Sequence, residues 1–135
     1  MSFTTGIRIL AASMALALLA VIPATSPACA DGDAAHGKEV FAKCALCHQI
    51  GEDARNNVGP ALNGVYDAPA ASRSGFNYSR ALNEAGNNGL VWNAENLDNY
   101  LENPRGFLTG GRMAFAGIPS PDDRADIIAY LKQFP

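Results

Sequence analysis

The sequence is poor in the groups from which most protein sites are built. Its 135 residues hold three cysteines, three methionines, two histidines and one tryptophan. One cysteine, Cys29, lies in an N-terminal leader, and the two cysteines and two histidines left after it are a poor inventory for a closed structural zinc site, which wants a second pair of ligands beside a C-x-x-C. No stretch alternates apolar and polar residues in the way a strand requires, and no βαβ pattern is present. Internal repeats and low-complexity tracts are absent beyond the N-terminal region. Basic residues are outnumbered: 10 Lys and Arg stand against 13 Asp and Glu, a formal charge of −3. An acidic chain of this kind argues against nucleic acid as a partner. The longest apolar run, Ile9 to Ile22, has 14 residues, short of the ~20 that a spanning helix needs.

That run has another use. Arg8 precedes it, Pro23 breaks it, and Pro27-Ala28-Cys29-Ala30 supplies small residues in an A-x-A arrangement. These are the parts of a secretory signal. Cleavage is expected after Ala30, dividing the chain into residues 1–30, a signal peptide, and residues 31–135, a single domain. Arg8 is the only charge in the leader, so residues 31–135 carry a formal charge of −4. The mature part then keeps two cysteines, Cys44 and Cys47, two histidines, His36 and His48, and one methionine, Met113.

Both remaining cysteines lie in Cys44-Ala45-Leu46-Cys47-His48. C-x-x-C-H is the attachment signature of c-type haem. Two thiols three positions apart on one turn can each add across a vinyl group of one porphyrin. The residue after the second thiol then stands under the iron, where a histidine offers an imidazole nitrogen. A redox dithiol would want the βαβ setting that is missing here. Met113, in a loop containing Gly106, Gly110, Gly111 and Gly117, is the best candidate for the other face of the iron. A lone methionine is usually core filler, but a glycine-rich loop suits wrapping around a flat ligand.

Helices are expected at three places. Asp33 caps the first, to Ala45, with Gly37, Val40 and Phe41 near one face. Gly37 inside a helix costs up to ~1 kcal/mol against alanine, tolerable if another helix approaches there. His36, at the exposed start, reads as a surface residue. Asn93 caps a second helix, Ala94 to Asn103, with Leu97, Tyr100 and Leu101 as its apolar stripe and Pro104 as its stop. Ser120 caps the third, with Pro121 at its first position and Asp122 and Asp123 in its first turn, to about Gln133. Residues 49–66 and 105–120 read as long loops, and 85–89 as a turn. A proximal histidine wants a hydrogen-bond acceptor for its second ring nitrogen. The rigid loop around Gly59-Pro60 offers backbone carbonyls, among which spacing alone does not choose. Trp92 and Tyr100 read as core aromatics, each needing a partner for its polar atom if buried.

Taken in order, these motifs resemble those of class I c-type cytochromes, mitochondrial and bacterial. Cys44-x-x-Cys47-His48 resembles the haem motif, and Gly59-Pro60-x-Leu62 the loop whose proline carbonyl bonds the proximal histidine. Gly75-Phe76-x-Tyr78 and Trp92 resemble propionate-contacting segments. Tyr100-Leu101-Glu102-Asn103-Pro104 resembles the helix whose tyrosine approaches the methionine sulfur. Met113-x-Phe115-x-Gly117-Ile118 resembles the axial-methionine loop, and Asp126 to Lys132 the terminal helix that crosses the first. The resemblance implies an all-α class I cytochrome c fold, with terminal helices crossing and loops wrapping one haem c held by two thioethers. It implies cofactor contacts from Cys44, Cys47, His48, Pro60, Tyr78, Trp92, Tyr100 and Met113, with His48 and Met113 on the metal. Departures stand at Asp67 and Ala68, where the family often has Gly-Arg near a propionate, and at Gly111, where it has threonine or serine.

The function so implied is one-electron transfer by a soluble periplasmic carrier without substrate turnover, monomeric and not inserted in a membrane after signal cleavage. A cytochrome bc-type complex would be the donor, and an oxidase, a photosynthetic reaction centre or a periplasmic enzyme the acceptor. Lys43, Arg105 and Arg112 flank the haem motifs and are candidate docking contacts. The rivals are a haem enzyme or gas sensor with an open iron position, and a permanently docked subunit of a larger oxidoreductase.

Overall fold

The computed structural model describes Met1 and residues 31–135. The expected signal peptide, residues 1–30, lies outside the described residues apart from Met1. Among the described residues the chain forms five helices: α1 (Ala34–Val40), α2 (Arg80–Asn87), α3 (Ala94–Glu102), α4 (Pro104–Phe107) and α5 (Pro121–Leu131). A 3-10 turn, Phe41–Lys43, extends α1. The only strand-like pairing among them is an isolated bridge between Pro69 and Val91. No described helix is long and apolar enough to cross a membrane.

The helix starts follow from their caps. Asp33 accepts from the Ala35 and His36 amides, Asn93 from Asn96, and Ser120 from Asp123. Each satisfies donors that the first turn leaves without a partner. Two differences from the sequence expectation appear. The expected turn at residues 85–89 is largely the second half of a helix, α2, which Ser79 caps through the Leu82 amide. No residue of α2 is fully buried, although Ala81, Leu82 and Ala85 share a half-buried face and Leu82 packs on the core. Two asparagines and Gly86 among its eight residues weaken the helical signal in the sequence. Pro104 ends α3 but also begins α4, because Asn103, extended at φ −150°, caps the next turn through the Gly106 amide. Proline suits a first helical position as well as a stop.

The dominant helix contact is α1 against α5, followed by α3 against α5. Gly37 permits the first. A Cβ there would overlap the Asp126 carbonyl and come within 2.9 Å of the Tyr130 Cβ. Beside this crossing the Phe41 and Tyr130 rings lie 5.5 Å apart. Val40, Phe41, Leu97, Leu101, Ile118, Ile127, Ile128 and Leu131 complete a buried core. Apolar burial of this kind is the main favourable contribution to folding.

Arg124, on α5, is buried in that core. Its Nε donates to Asp98 Oδ1 at 2.7 Å, and its Nη1 donates to the Ile118 and Pro119 carbonyls at 2.9 and 3.0 Å. A buried guanidinium is tolerable only when so paired. It fastens the downstream end of the Met113 loop to α3 and α5. The Ile118 amide adds a bond to the Leu101 carbonyl at 2.7 Å.

Candidate haem site

Loops and helices enclose a cavity of about 950 Å³, within the ~300–1,000 Å³ common for cofactor sites. Its apolar walls include Leu62, Leu97, Leu101, Phe115, Ile127 and Leu131. All eight site residues expected from the sequence, Cys44, Cys47, His48, Pro60, Tyr78, Trp92, Tyr100 and Met113, line it.

Cys44, Cys47 and His48 sit on a single turn. The Cys47 and His48 amides both donate to the Cys44 carbonyl, at 3.0 and 2.9 Å. The two thiols are not bonded to each other. Burial pushes the Cys44 thiol up to about 11, so a free thiol there is neutral at pH 7. Redox dithiols and reactive thiolates need the opposite shift.

His48 is held from behind. Its Nδ1 lies 2.7 Å from the Pro60 carbonyl. That carbonyl can only accept, so the proton sits on Nδ1 and Nε2 keeps its lone pair for a metal. Gly59 lets the loop close on the ring, since a Cβ there would run into the imidazole. Two asparagines that the sequence reading left out brace this loop. Asn63 exchanges hydrogen bonds with the Gly51 amide and carbonyl at 3.1 and 3.0 Å. Asn56 accepts from the Ala61 amide and donates to the Ser74 carbonyl, both at 3.0 Å. It thereby ties the histidine loop to the Tyr78 segment. Nothing in their spacing marks either asparagine.

On the methionine side, the Tyr100 hydroxyl donates to the Met113 sulfur at 3.6 Å. Burial raises the Tyr100 hydroxyl above its ordinary value, which keeps that donor protonated. Tyr100 is fixed in turn by Trp92 and Phe107, with ring centroids 4.8 and 5.8 Å away. Backbone bonds pin Trp92: its amide donates to the Ala68 carbonyl at 2.8 Å and its carbonyl accepts from Asp67 at 3.0 Å. Asp67 adopts φ 59°, a left-handed angle that glycine adopts without strain.

Of the candidate docking cations, Lys43 faces Asp123 at 3.6 Å. The Arg112 guanidinium donates to the Asn77 carbonyl, linking the Met113 loop to the Tyr78 segment. Leu46 and Val58, at the cavity, are 82% and 73% exposed.

Among the described residues, no three His, Cys, Asp or Glu side chains converge to hold a bare metal ion. The cavity offers one imidazole and one thioether, with two thiols at covalent spacing. Such a set suits a flat macrocycle that brings its own iron and equatorial ligands. The donors and the cavity fit haem c and define a haem protein of the covalently attached type.

Comparison with known proteins agrees. The family model described as Cytochrome c matches residues 34–135. Cytochrome c2 of Rhodomicrobium vannielii is 47% identical over 107 residues, which cover 79% of this chain and 83% of that one. Cytochrome c-550 of Ancylobacter novellus is 49% identical over 100 residues, covering 74% and 94%. The solved structure of cytochrome c2 from Rhodospirillum centenum superposes with a TM-score of 0.73 at 43% identity, covering 76% of this chain and 98% of that one. The chain belongs to the cytochrome c family: it is an electron carrier of the class I fold, and its cofactor is one covalent haem c.

Proposed function

We propose that the protein is a periplasmic one-electron shuttle whose iron is ligated by His48 and Met113, without substrate turnover of its own. The observation that carries this reading is that each donor is oriented by a second group: His48 by the Pro60 carbonyl and Met113 by the Tyr100 hydroxyl. Outer partners of this kind fix the orientation and basicity of ligands. Haem c supplies a reversible Fe(III)/Fe(II) couple when bound.

The chain's own residues do the rest. Cys44 and Cys47 tether the cofactor through thioethers. Pro60 holds His48 in the tautomer that exposes Nε2. Tyr100 holds the methionine sulfur and leaves it little freedom to depart. The soft thioether favours Fe(II) and raises the potential. Two protein ligands leave no open position for substrate, and a rigid site reorganises little on gaining an electron. Trp92 and Tyr78 also line the cavity.

Residues 1–30 are a signal peptide cut after Ala30, and residues 31–135 are the working haem domain, monomeric in the periplasm. A cytochrome bc-type complex reduces it, and an oxidase, reaction centre or periplasmic enzyme oxidises it. Relatives bearing the names cytochrome c2 and c-550 support this assignment. Docking uses the cavity edge, where Leu46 and Val58 stand exposed near Lys43 and Arg112, with Arg105 on the flanking loop.

Intact mass of the protein recovered from periplasm tests the covalent and export parts together. It should equal residues 31–135 plus one haem. A haem-free mass, or a retained leader, would contradict this reading. Reduction by a purified cytochrome bc complex should be fast and should slow with added salt, since rim charges act mainly on association rate.

A further inference from the structure

Haem c brings two carboxylates into a site with apolar walls. Burying a carboxylate there is costly unless a charged partner meets it. Although the chain is acidic overall, every charged residue lining the cavity is basic: Lys43, Arg73 and Arg112. Two of them already have acceptors, Lys43 in Asp123 and Arg112 in the Asn77 carbonyl. Among the described residues no carboxylate lies within ion-pair reach of Arg73.

The backbone brings Arg73 to this place. Ala71 takes a left-handed turn at φ 60°, an angle that costs a residue with a Cβ about 1–2 kcal/mol. Beyond that turn, residues 71–74 all run along the cavity wall. The Arg73 amide donates to the Tyr78 hydroxyl at 3.2 Å. Having accepted that bond, the hydroxyl keeps its own hydrogen to donate. The positive charge of Arg73 also lowers the Tyr78 hydroxyl, against the larger upward effect of burial, which puts the guanidinium within electrostatic reach of it. One loop thus presents a cation and a hydroxyl donor together.

We propose that Arg73 is a cofactor-contact residue, its guanidinium pairing with a carboxylate of haem c beside the Tyr78 hydroxyl. The inference rests on the covalent haem assigned above. A guanidinium fork matches a carboxylate in two parallel bonds. A positive charge held there disfavours the ferric state and so raises the potential.

The test is a redox titration of holoprotein carrying Arg73→Gln or Arg73→Lys, at low salt and at 1 M salt. Arg80→Gln serves as control: Arg80 pairs with Glu84 on exposed α2 and does not line the cavity. Arg73→Gln should shift the electron equilibrium toward Fe(III) threefold to tenfold, about 28–59 mV at 59 mV per tenfold for one electron. Arg73 is exposed in the chain alone, so part of that shift should survive 1 M salt through direct contact with the carboxylate, since charges in contact are screened less than charges a Debye length apart. Arg73→Lys, which keeps the charge, should restore most of the loss. An Arg73→Gln shift no larger than that of Arg80→Gln, or one that salt abolishes, would overturn the proposal and leave Arg73 a surface charge. Failure of Arg73→Lys to restore the potential would overturn it as well. Failure of the cofactor assignment itself would show separately, as a mass lacking haem in the wild type.

Discussion

Gly37→Ala is a small change that the structure predicts to be costly. Gly37 lies inside α1, where alanine is favoured over glycine by ~1 kcal/mol. An isolated or exposed helix would therefore gain from the substitution. Here the added methyl meets α5: it overlaps the Asp126 carbonyl, lies 2.5 Å from the Asp126 carbonyl carbon, and 2.9 Å from the Tyr130 Cβ. These are atoms of the α5 backbone and its first side-chain carbon, which cannot swing away. The helices must separate, loosening the Phe41–Tyr130 contact beside them. Overpacking of this kind costs about 1–3 kcal/mol, and more where backbone is struck. Because backbone is struck, the upper part of that range applies, about 2–3 kcal/mol, and subtracting the ~1 kcal/mol propensity gain leaves a net loss of about 1–2 kcal/mol. For a domain near 100 residues that lowers the thermal midpoint by roughly 4–16 °C. Thermal denaturation of matched holoproteins reads it, with Gly37→Leu expected to fall further. A midpoint equal to or above wild type for Gly37→Ala would show that α1 and α5 do not cross at this residue.

His36 Nδ1 meets Asp126 Oδ2 at 2.7 Å, raising the imidazole above its ordinary 6.5 and lowering the carboxyl below its ordinary 3.8. The raised His36 contributes stability that is present below about pH 6.5 and is lost as pH climbs through its folded value. The lowered Asp126 contributes stability present above about pH 4 and lost on acidification. The advantage of wild type over His36→Gln in urea unfolding should therefore be largest between about pH 4 and 6.5 and shrink above it; a difference that is flat from pH 5 to 9 would refute the pair. Asp98→Ala strips buried Arg124 of its nearer carboxylate while leaving the Ile118 and Pro119 carbonyls and the Glu102 carboxylate at 3.7 Å, and Asp98 is itself partly exposed. The cost should be about 1–3 kcal/mol in unfolding free energy, and an unchanged midpoint would mean that Arg124 does not depend on Asp98. Asn56→Ala should loosen both the histidine loop and the Tyr78 segment, costing about 1–3 kcal/mol, read by denaturant unfolding and by faster amide exchange at Ala61; unaltered exchange there would show that the bridge is dispensable.

Much of this architecture can be read before any coordinates. Asp33, Asn93 and Ser120 announce their helices because capping is local chemistry, written within three residues. Gly37 suggests a crossing because glycine inside an amphipathic helix needs a reason. The residues around the cavity are legible because haem attachment ties thiol, thiol and imidazole to one short turn. What stays hidden depends on contacts between distant segments. α2 has an apolar side of only Ala81, Leu82 and Ala85, too short to stand out among its asparagines and Gly86. Pro104 acts as both stop and start, and only the conformation of Asn103 shows it. Arg124 looks like a helix surface charge until Asp98, 26 residues away, appears beside it. Arg73 reaches the cavity through the left-handed turn at Ala71, which an alanine does not advertise.

The assignment of Met113 as the second ligand of the iron stands or falls on Met113→Ala. The variant holoprotein should be titrated against potential, with ferric and ferrous spectra recorded beside wild type. Residues 31–135 contain no other thioether, and His36 is engaged with Asp126 at the start of α1. Loss of a soft ligand that favours Fe(II) should lower the potential by tenths of a volt, on the order of a quarter of the ~0.8 V that axial ligands span. The ferrous form should also bind carbon monoxide quickly. A potential and a low-spin spectrum both unchanged from wild type would contradict the account, leaving Met113 as loop packing and the distal ligand elsewhere.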